Sequence, residues 1–368
     1  MDTKFKIRCW GLFFFGFLLM AGPQASAQFT ETREFVKRFA VKPETRIDIT
    51  NKYGRIELNT WDKDSVVIRF RMEINEKKPI KLEKTMGNLD FDISNSPYYL
   101  VVKTQVDKKK SQLENEFQKF KETILQTNGS IRIDLTVYLP DNHELRLENK
   151  FGDIVMGDYK GETQISLSNG KLKTGELAKR SVLNLSFTDA VINNLPSSRI
   201  QCNYCDIQVK NSGSLRLESK SSTIEIMNSE DLSIDSRRDK LRIRQADKIE
   251  AEGSFTQFRI SEMKNKANMR LSFGSLEMEK VMSTFNNLYI ESRSADVNLY
   301  FQPESKFNFE ITEAKTDLKL GHEMKVEDKE VLDSKENKNR HTGYFGKKMK
   351  DDQLIMNSVG GEINILSY

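Results

Sequence analysis

Short runs of alternating polar and apolar residues recur along most of the chain. One set of runs places an inward apolar residue at ten positions that are 18 residues apart on average. These positions are Leu145, Ile165, Leu183, Ile200, Leu215, Leu232, Ile249, Met269, Leu288 and Phe307. Alternation with a period of two turns one face of a β-strand inward and the other toward water. The pattern therefore predicts one short strand in every repeat.

A second strand pattern follows most of the first ones. It begins at Lys171, Asp206, Thr223, Lys240, Gln257, Ser275, Asp296 and Asp317. A fixed period of this size is typical of stacked coils, none of which can bury its apolar edge alone. We predict an all-β fold, a parallel β-solenoid with about 18 residues per coil, on a right-handed path because parallel crossovers favour that hand. An antiparallel meander or sandwich is the alternative, because Asn169-Gly170 between two alternating runs also suits a hairpin turn.

Two segments interrupt the repeats. Residues 107–126 place apolar side chains at helical spacing, which predicts a helical insert that covers an end or flank of the strands. Residues 321–353 are charged and rich in Lys, which favours a long exposed loop. The predicted organisation is a signal peptide at 1–27, an N-terminal strand-rich region at 28–140 containing the helix 107–126, regular coils at 141–320, a charged excursion at 321–353 and a closing coil at 354–368.

The first residues have the pattern of a secretory signal. Lys4, Lys6 and Arg8 precede an apolar run, and Ala25-Ser-Ala27 is a small-residue cleavage site. The run is short for a membrane span, although an uncleaved anchor is the alternative. We expect an exported protein of the periplasm or of the outer-membrane-associated envelope, with no transmembrane segment in the mature chain.

The charge balance narrows the class of partner. The formal net charge is +4, and removal of residues 1–27 lowers it to +2. A nearly neutral chain with mixed charges lacks the electrostatic footprint of a nucleic-acid-binding protein. We therefore expect an envelope protein or a glycan as partner, and no nucleic acid.

Cysteine and histidine offer little catalytic chemistry. Cys202 and Cys205 are the only cysteines after residue 27. In an exported protein they can form a local disulfide, and buried thiols in a turn are the alternative. No helix pattern follows them, as a thioredoxin-like site would require. The three histidines lie far apart, so we expect no metal, no cofactor and no catalytic residue.

Aspartate recurs near the start of the second strand, at Asp153, Asp189, Asp206, Asp296 and Asp317. On stacked coils such residues can share one flank, where paired carboxylates perform acid–base chemistry or bind calcium. Residues that are not acidic occupy the same position in other repeats. The common use of Asp at turns is the simpler interpretation.

One bend motif occurs twice, as Asn51-Lys-Tyr-Gly54 and as Asn149-Lys-Phe-Gly152. Glycine suits a bend with positive φ, and Asn can bond to its own backbone there. The aromatic residue before Gly favours stacking of one coil on the next, because aromatic rings bury large areas. Contact with a ligand is the alternative.

These features together resemble a known group. They are the signal peptide, Asn51-Lys-Tyr-Gly-x-Ile56 with Thr60-Trp-Asp62, and Tyr138-Leu-Pro140 before the second bend motif. The chain resembles the adhesin-like β-strand-repeat family of exported proteins of unknown function, and is similar to auto-transporter adhesin head domains. The resemblance implies a β-solenoid without assigned activity, from a family whose genes often lie near sigma-factor and anti-sigma regulators. It carries over no catalytic residue, and the helical and charged segments depart from it.

The function that we expect is that of a non-enzymatic, adhesin-like binding or scaffold module of the cell envelope. One alternative is a carbohydrate-active enzyme that uses acidic residues on a solenoid flank. The other is an envelope-stress signalling accessory, which the resemblance alone implies.

Overall fold

The computed structural model describes residues 29–106, 130–350 and 352–368. Within these ranges the chain forms 24 strands and one helix, α1 (Pro79–Asn88). The strands are β1 (Phe29–Ala40), β2 (Arg46–Lys52), β3 (Ile56–Trp61), β4 (Ser65–Glu76), β5 (Leu89–Asn95), β6 (Tyr99–Val106), β7 (Ser130–Pro140), β8 (Leu145–Lys150), β9 (Ile154–Met156), β10 (Thr163–Glu176), β11 (Ser181–Asn203), β12 (Asp206–Lys220), β13 (Thr223–Arg237), β14 (Lys240–Ser254), β15 (Gln257–Ser272), β16 (Ser275–Val281), β17 (Asn287–Arg293), β18 (Asp296–Phe301), β19 (Phe307–Ala314), β20 (Asp317–Leu320), β21 (Met324–Asp333), β22 (Lys338–Phe345), β23 (Asp352–Val359) and β24 (Glu362–Ser367).

The centre of the fold is a stack of repeats with parallel pairing. Strands β10 to β15 pair in sequence order, and all of these pairings are parallel. In β12 and β13 the paired residues are 17 positions apart, as Asn211 and Asn228 are. The chain is therefore all-β, with a long and mostly parallel sheet that is not closed. The antiparallel alternative is wrong for this part, since Asn169-Gly170 lies inside β10 and both sides of it pair in parallel with β11.

Each repeat bends once between its two strand segments. The bend residue has a φ between 49° and 69°. These bend residues are Tyr53, Phe151, Asn169, Phe187, Tyr204, Ser221, Arg238, Phe255, Phe273, Ser294, Gly360 and Lys315. The expectation that Gly takes the positive φ in the twice-occurring motif is wrong, because Tyr53 and Phe151 take it instead.

The glycine of that motif is required for a different reason. A Cβ atom at Gly152 would lie 1.9 Å from the main-chain oxygen of Gly54, and one at Gly170 would lie 2.0 Å from that of Gly152. Glycine is needed because the backbones of successive repeats approach closely there. The asparagine of the motif faces inward, and Asn149 Nδ2 donates to the oxygen of Gly54 at 2.8 Å.

The interior follows the predicted alternation. All ten predicted inward residues of the first strand are buried, with none more than 3% exposed. The predicted second strands at Asp206, Thr223, Lys240, Gln257, Ser275, Asp296 and Asp317 begin at those residues. The alignment between repeats needs a correction, because Leu215 pairs with Ser198 and not with Ile200. A shift of two residues keeps the same face inward, so the predicted burial is correct although the predicted alignment is not.

The order of repeats in the stack differs from their order in the chain at both ends. Strand β2 pairs with β6 on one side and with β8 on the other. Similarly, β23 lies between β17 and β19, and β24 lies between β18 and β20. The segment 354–368, predicted as a closing coil, is therefore inserted within the stack rather than placed at its end.

Antiparallel strands flank the parallel stack. Strands β1, β4 and β7 pair antiparallel at the amino-terminal side. Strands β19, β22 and β21 do so at the other side. The prediction of a loop at 321–353 is therefore wrong, because β21 and β22 form a hairpin whose outer strand is almost entirely exposed.

The one helix of the described residues, α1, was not predicted from the sequence. It begins with Pro79, and the N–H that proline lacks would have no hydrogen-bond partner in the first turn of a helix. The predicted signal peptide 1–27 and helix 107–126 lie outside the described residues. In the part of the chain that the structure describes, no helix is long and apolar enough to cross a membrane.

Candidate functional site

The bend residues form one column along the stack, which we call the bend edge. Main-chain N–H groups of bend residues donate to carbonyls of the neighbouring repeat, as that of Tyr204 does to Lys220 at 3.0 Å, that of Ser221 to Arg237 at 3.0 Å and that of Arg238 to Ser254 at 2.9 Å. The hydrogen bonds hold successive bends at the spacing of paired strands, about 4.8 Å. From Phe151 to Phe273 successive bend residues are 17 or 18 positions apart in the sequence, and only the fold makes them neighbours.

Aromatic side chains on the bend edge stack in pairs. The rings of Phe187 and Tyr204 are 5.0 Å apart and inclined by 6°, and those of Phe255 and Phe273 are 5.0 Å apart and inclined by 13°. Tyr53 stacks on Phe151 at 5.7 Å. The predicted stacking of the aromatic residue before Gly is therefore confirmed for Tyr53 and Phe151, whereas the other two pairs were not predicted.

Stacking alone does not account for these rings. Phe187, Tyr204, Phe255 and Phe273 remain 58, 52, 53 and 47% exposed. Ser221 holds the same backbone conformation, so the bend itself does not require an aromatic residue. Pairs of half-exposed rings on a protein surface are typical of a contact site.

Between these two aromatic pairs lie exposed cations, which we call the basic segment: Lys220, Arg237, Arg238 and Lys240. Lys220 pairs with Arg237 across adjacent strands. Among the described residues, no carboxylate forms an ion pair with any of the four. From Tyr204 to Phe255 the bend edge advances three strand spacings, or about 14 Å.

A buried carboxylate supports the basic segment from inside. Asp239 is 2% exposed, and its Oδ2 accepts from the hydroxyls of Ser219 at 2.7 Å and Ser236 at 2.6 Å. The main-chain N–H of Arg237 donates to the same oxygen at 3.1 Å, and that of Ser222 donates to Oδ1 at 2.6 Å. These hydrogen bonds tie two successive bends together, and they fix the backbone that carries the cations.

The two cysteines lie beneath Tyr204, inside the bend. Both are buried free thiols, Cys202 at 1% and Cys205 at 6% exposure. The Cys202 thiol donates a hydrogen bond to the Cys205 sulfur, which lowers the pKa of Cys205 to about 7. The same hydrogen bond, together with burial, raises the pKa of Cys202. The predicted disulfide stays a prediction.

The predicted acidic positions share one row of the sheet: Asp153, Asp189, Asp206, Asp296 and Asp317. Lys171 separates two of them, since its N–H donates to Asp153 at 3.0 Å and its Nζ lies 3.4 Å from Asp189. Asp189 pairs directly with Asp206, and Thr223 follows. The row therefore mixes acids with two cations, Lys171 and Lys240, and with neutral residues.

Histidines are not gathered into a site. His143 contacts the main-chain oxygen of Lys42 at 2.9 Å, His322 contacts Glu323 at 2.9 Å and His341 contacts Glu313 at 3.4 Å. Within the described ranges, no group of three or more His, Cys, Asp and Glu side chains is arranged to hold a metal ion.

A shallow pocket of about 260 Å³ lies among the antiparallel strands at the amino-terminal side. Arg55, Arg69 and Arg71 line it together with Glu34 and Glu57. Opposite charges neutralise one another there, as Arg71 and Glu34 do at 3.7 Å. The pocket offers less unpaired charge than the basic segment.

No protein-family profile matches the chain, and no curated protein matches it in sequence. One solved structure that aligns with it is named "putative cell adhesion protein", from Clostridium sporogenes; it is 11% identical, with a TM-score of 0.18, covering 92% of this chain and 100% of that one. Another is named "putative lipid binding protein", from Parabacteroides distasonis; it is 12% identical, with a TM-score of 0.30, covering 92% and 96%. Both likenesses are too weak to transfer a fold or a function.

Proposed function

We propose that this chain is an exported, non-enzymatic binding module of the cell envelope that contacts an envelope protein or glycan through its bend edge. The observation that carries the proposal is the two pairs of stacked, half-exposed aromatic rings on the bend edge. Rings that are already stacked lose little conformational freedom when a partner covers them, so more of the contact energy appears as affinity.

The proposed architecture is a right-handed β-solenoid. Parallel pairing of successive repeats, a bend in every repeat and a hydrophobic cluster that runs from Val41 to Ile365 support it. Parallel crossovers nearly always have this hand. Such a rod presents its bend residues in one straight line, which suits an extended ligand.

Localisation in the periplasm or at the outer membrane belongs to the same proposal. Its support is the signal-peptide pattern of residues 1–27 and its cleavage site. Production of the full-length chain in a bacterial host should give an envelope-located product whose mass corresponds to a start at Gln28. If the whole chain stayed in the cytoplasm, the proposed location in the envelope would be wrong.

Co-sedimentation of the purified protein with isolated cell-envelope fragments tests the binding surface. The variant Phe187→Ser with Tyr204→Ser removes one aromatic pair, and serine already occupies the same bend conformation at Ser221. The matched control is Val191→Ser, which removes an exposed apolar side chain away from the bend edge. We expect the double variant to lose at least about ten-fold in affinity, since each stacked ring is worth roughly 1 kcal/mol.

Equal sedimentation of the wild type and the double variant would refute the role of the bend edge. Hydrolysis of an envelope glycan by the purified protein would favour the carbohydrate-active alternative. In that case Asp189→Asn and Asp206→Asn would abolish the hydrolysis, because these are the two acids that pair directly in the row.

A further inference from the structure

We propose that the basic segment and the two aromatic pairs that flank it form a binding site for an acidic polysaccharide. This inference rests on the proposed function and gives the ligand a chemical class. Its observations are the charge state of the basic segment, the direction of the free ring faces and the rigidity of the backbone beneath.

The basic segment brings unpaired positive charge to the bend edge, between the two aromatic pairs. Some exposed arginines are neutralised locally, as Arg199 is by Glu218 at 2.8 Å and Arg259 is by Glu277 at 2.7 Å. Others on the strand faces, such as Arg242 and Arg244, have no ion pair among the described residues, but they lie away from the bend edge. The basic segment has four exposed cations, and its own acid, Asp239, is buried and occupied by neutral donors. A local cluster of this kind attracts anions although the whole chain is nearly neutral.

The flanking rings provide flat apolar faces directed at the cations. Phe187 covers one face of Tyr204, and Phe273 covers one face of Phe255. The second face of Tyr204 and of Phe255 is therefore turned toward the basic segment. Sugar rings present flat C–H faces that pack on aromatic faces, and carboxylates on the same sugars bond to Arg and Lys.

The spacing suits an extended chain of sugars. The two free ring faces are separated by about 14 Å, with two bends between them. A polysaccharide lying along the bend edge would place one sugar against each ring and its acidic groups above the cations.

The backbone beneath is rigid in a way that favours binding. Hydrogen bonds from Ser219, Ser222, Ser236 and the N–H of Arg237 hold Asp239, and Asp239 holds the two bends. The backbone that carries the cations is therefore held in place, which lowers the entropic cost of ordering the cationic side chains on a ligand.

The same residue types also occur in sites for single-stranded nucleic acid, where bases stack on separate aromatic rings along a basic groove. Here the rings cover one another, so each pair has one free face directed at the segment. The basic segment is also short. These features favour an acidic polysaccharide, and a nucleic acid is an outcome of the test.

The experiment measures binding of the purified protein to polygalacturonate, to neutral dextran and to poly(dT) by titration calorimetry. We expect polygalacturonate to bind and dextran not to bind, with affinity that falls as NaCl rises from about 50 to about 200 mM. The charge variant is Arg237→Gln with Arg238→Asn, because Asn tolerates positive φ and Asn169 occupies an equivalent bend. The ring variant is Tyr204→Ser with Phe255→Ser.

Both variants should weaken polygalacturonate binding about ten-fold or more, and the charge variant should also show a shallower salt dependence. The matched control is Arg242→Gln with Arg244→Gln, which removes the same charge from exposed positions in the same repeat. It should bind within about two-fold of the wild type. Circular dichroism and thermal unfolding verify that each variant is folded.

Four results would overturn the inference: no binding of polygalacturonate, equal binding of dextran, tighter binding of poly(dT), or wild-type affinity in both variants. Failure here is separable from failure of the proposed function. If envelope fragments bind through Phe187 and Tyr204 but polygalacturonate does not bind, the function stands and the ligand class is wrong. If neither binds, the bend edge is not a binding surface.

Discussion

Replacement of Asp239 by alanine tests how the bend edge is stabilised. The wild-type carboxylate accepts four hydrogen bonds inside the fold. The hydroxyls of Ser219 and Ser236 can rotate toward other acceptors, but the main-chain N–H groups of Ser222 and Arg237 cannot. Each buried donor left without a partner costs about 1–3 kcal/mol, so the expected loss in the free energy of unfolding is about 3–5 kcal/mol once the small cavity is included.

Urea unfolding followed by circular dichroism measures this loss. The matched control is Asp235→Ala, which removes an exposed aspartate from the same strand and should change the free energy of unfolding by less than about 0.5 kcal/mol. The comparison requires that the dependence of free energy on urea keeps the same slope in all proteins. A loss below about 1 kcal/mol for Asp239→Ala at unchanged slope would refute the account, because the two amides would then have found other partners.

Two further predictions concern the bends. Gly152→Ala should destabilise the fold by about 3 kcal/mol, because the new Cβ would lie 1.9 Å from the main-chain oxygen of Gly54; Gly157→Ala, where no atom lies within 4 Å, should be neutral in the same unfolding assay. Similar losses for both glycines would contradict the close approach. Oxidised glutathione should convert Cys202 and Cys205 to a disulfide, with a mass decrease of about 2 Da and release of two reduced glutathione molecules. Because the pKa of Cys205 is lowered to about 7, the rate should rise as the pH passes through 7 and the thiolate forms; a rate that stays constant as the pH passes through 7 would contradict the lowered pKa.

The sequence determined which residues face inward and where strands begin. Alternation of polar and apolar residues is a local property, so it identified Leu215 and Leu232 as core and Thr223 as a strand start without knowledge of the partners. The same property could not set the register, because a slip of two residues, as between Ser198 and Ile200, leaves the same face buried.

Contacts between distant parts of the chain set the order of the repeats at the ends, the hairpin of β21 and β22, and the candidate site. The insertion of β23 between β17 and β19 depends on pairing over 66 residues, which no local pattern encodes. Likewise, Lys220 and Arg237 are distant in the chain and become neighbours only when one repeat stacks on the next. Local alternation therefore specifies the inward face of each repeat, whereas the bend edge and its charge depend on the contacts between repeats.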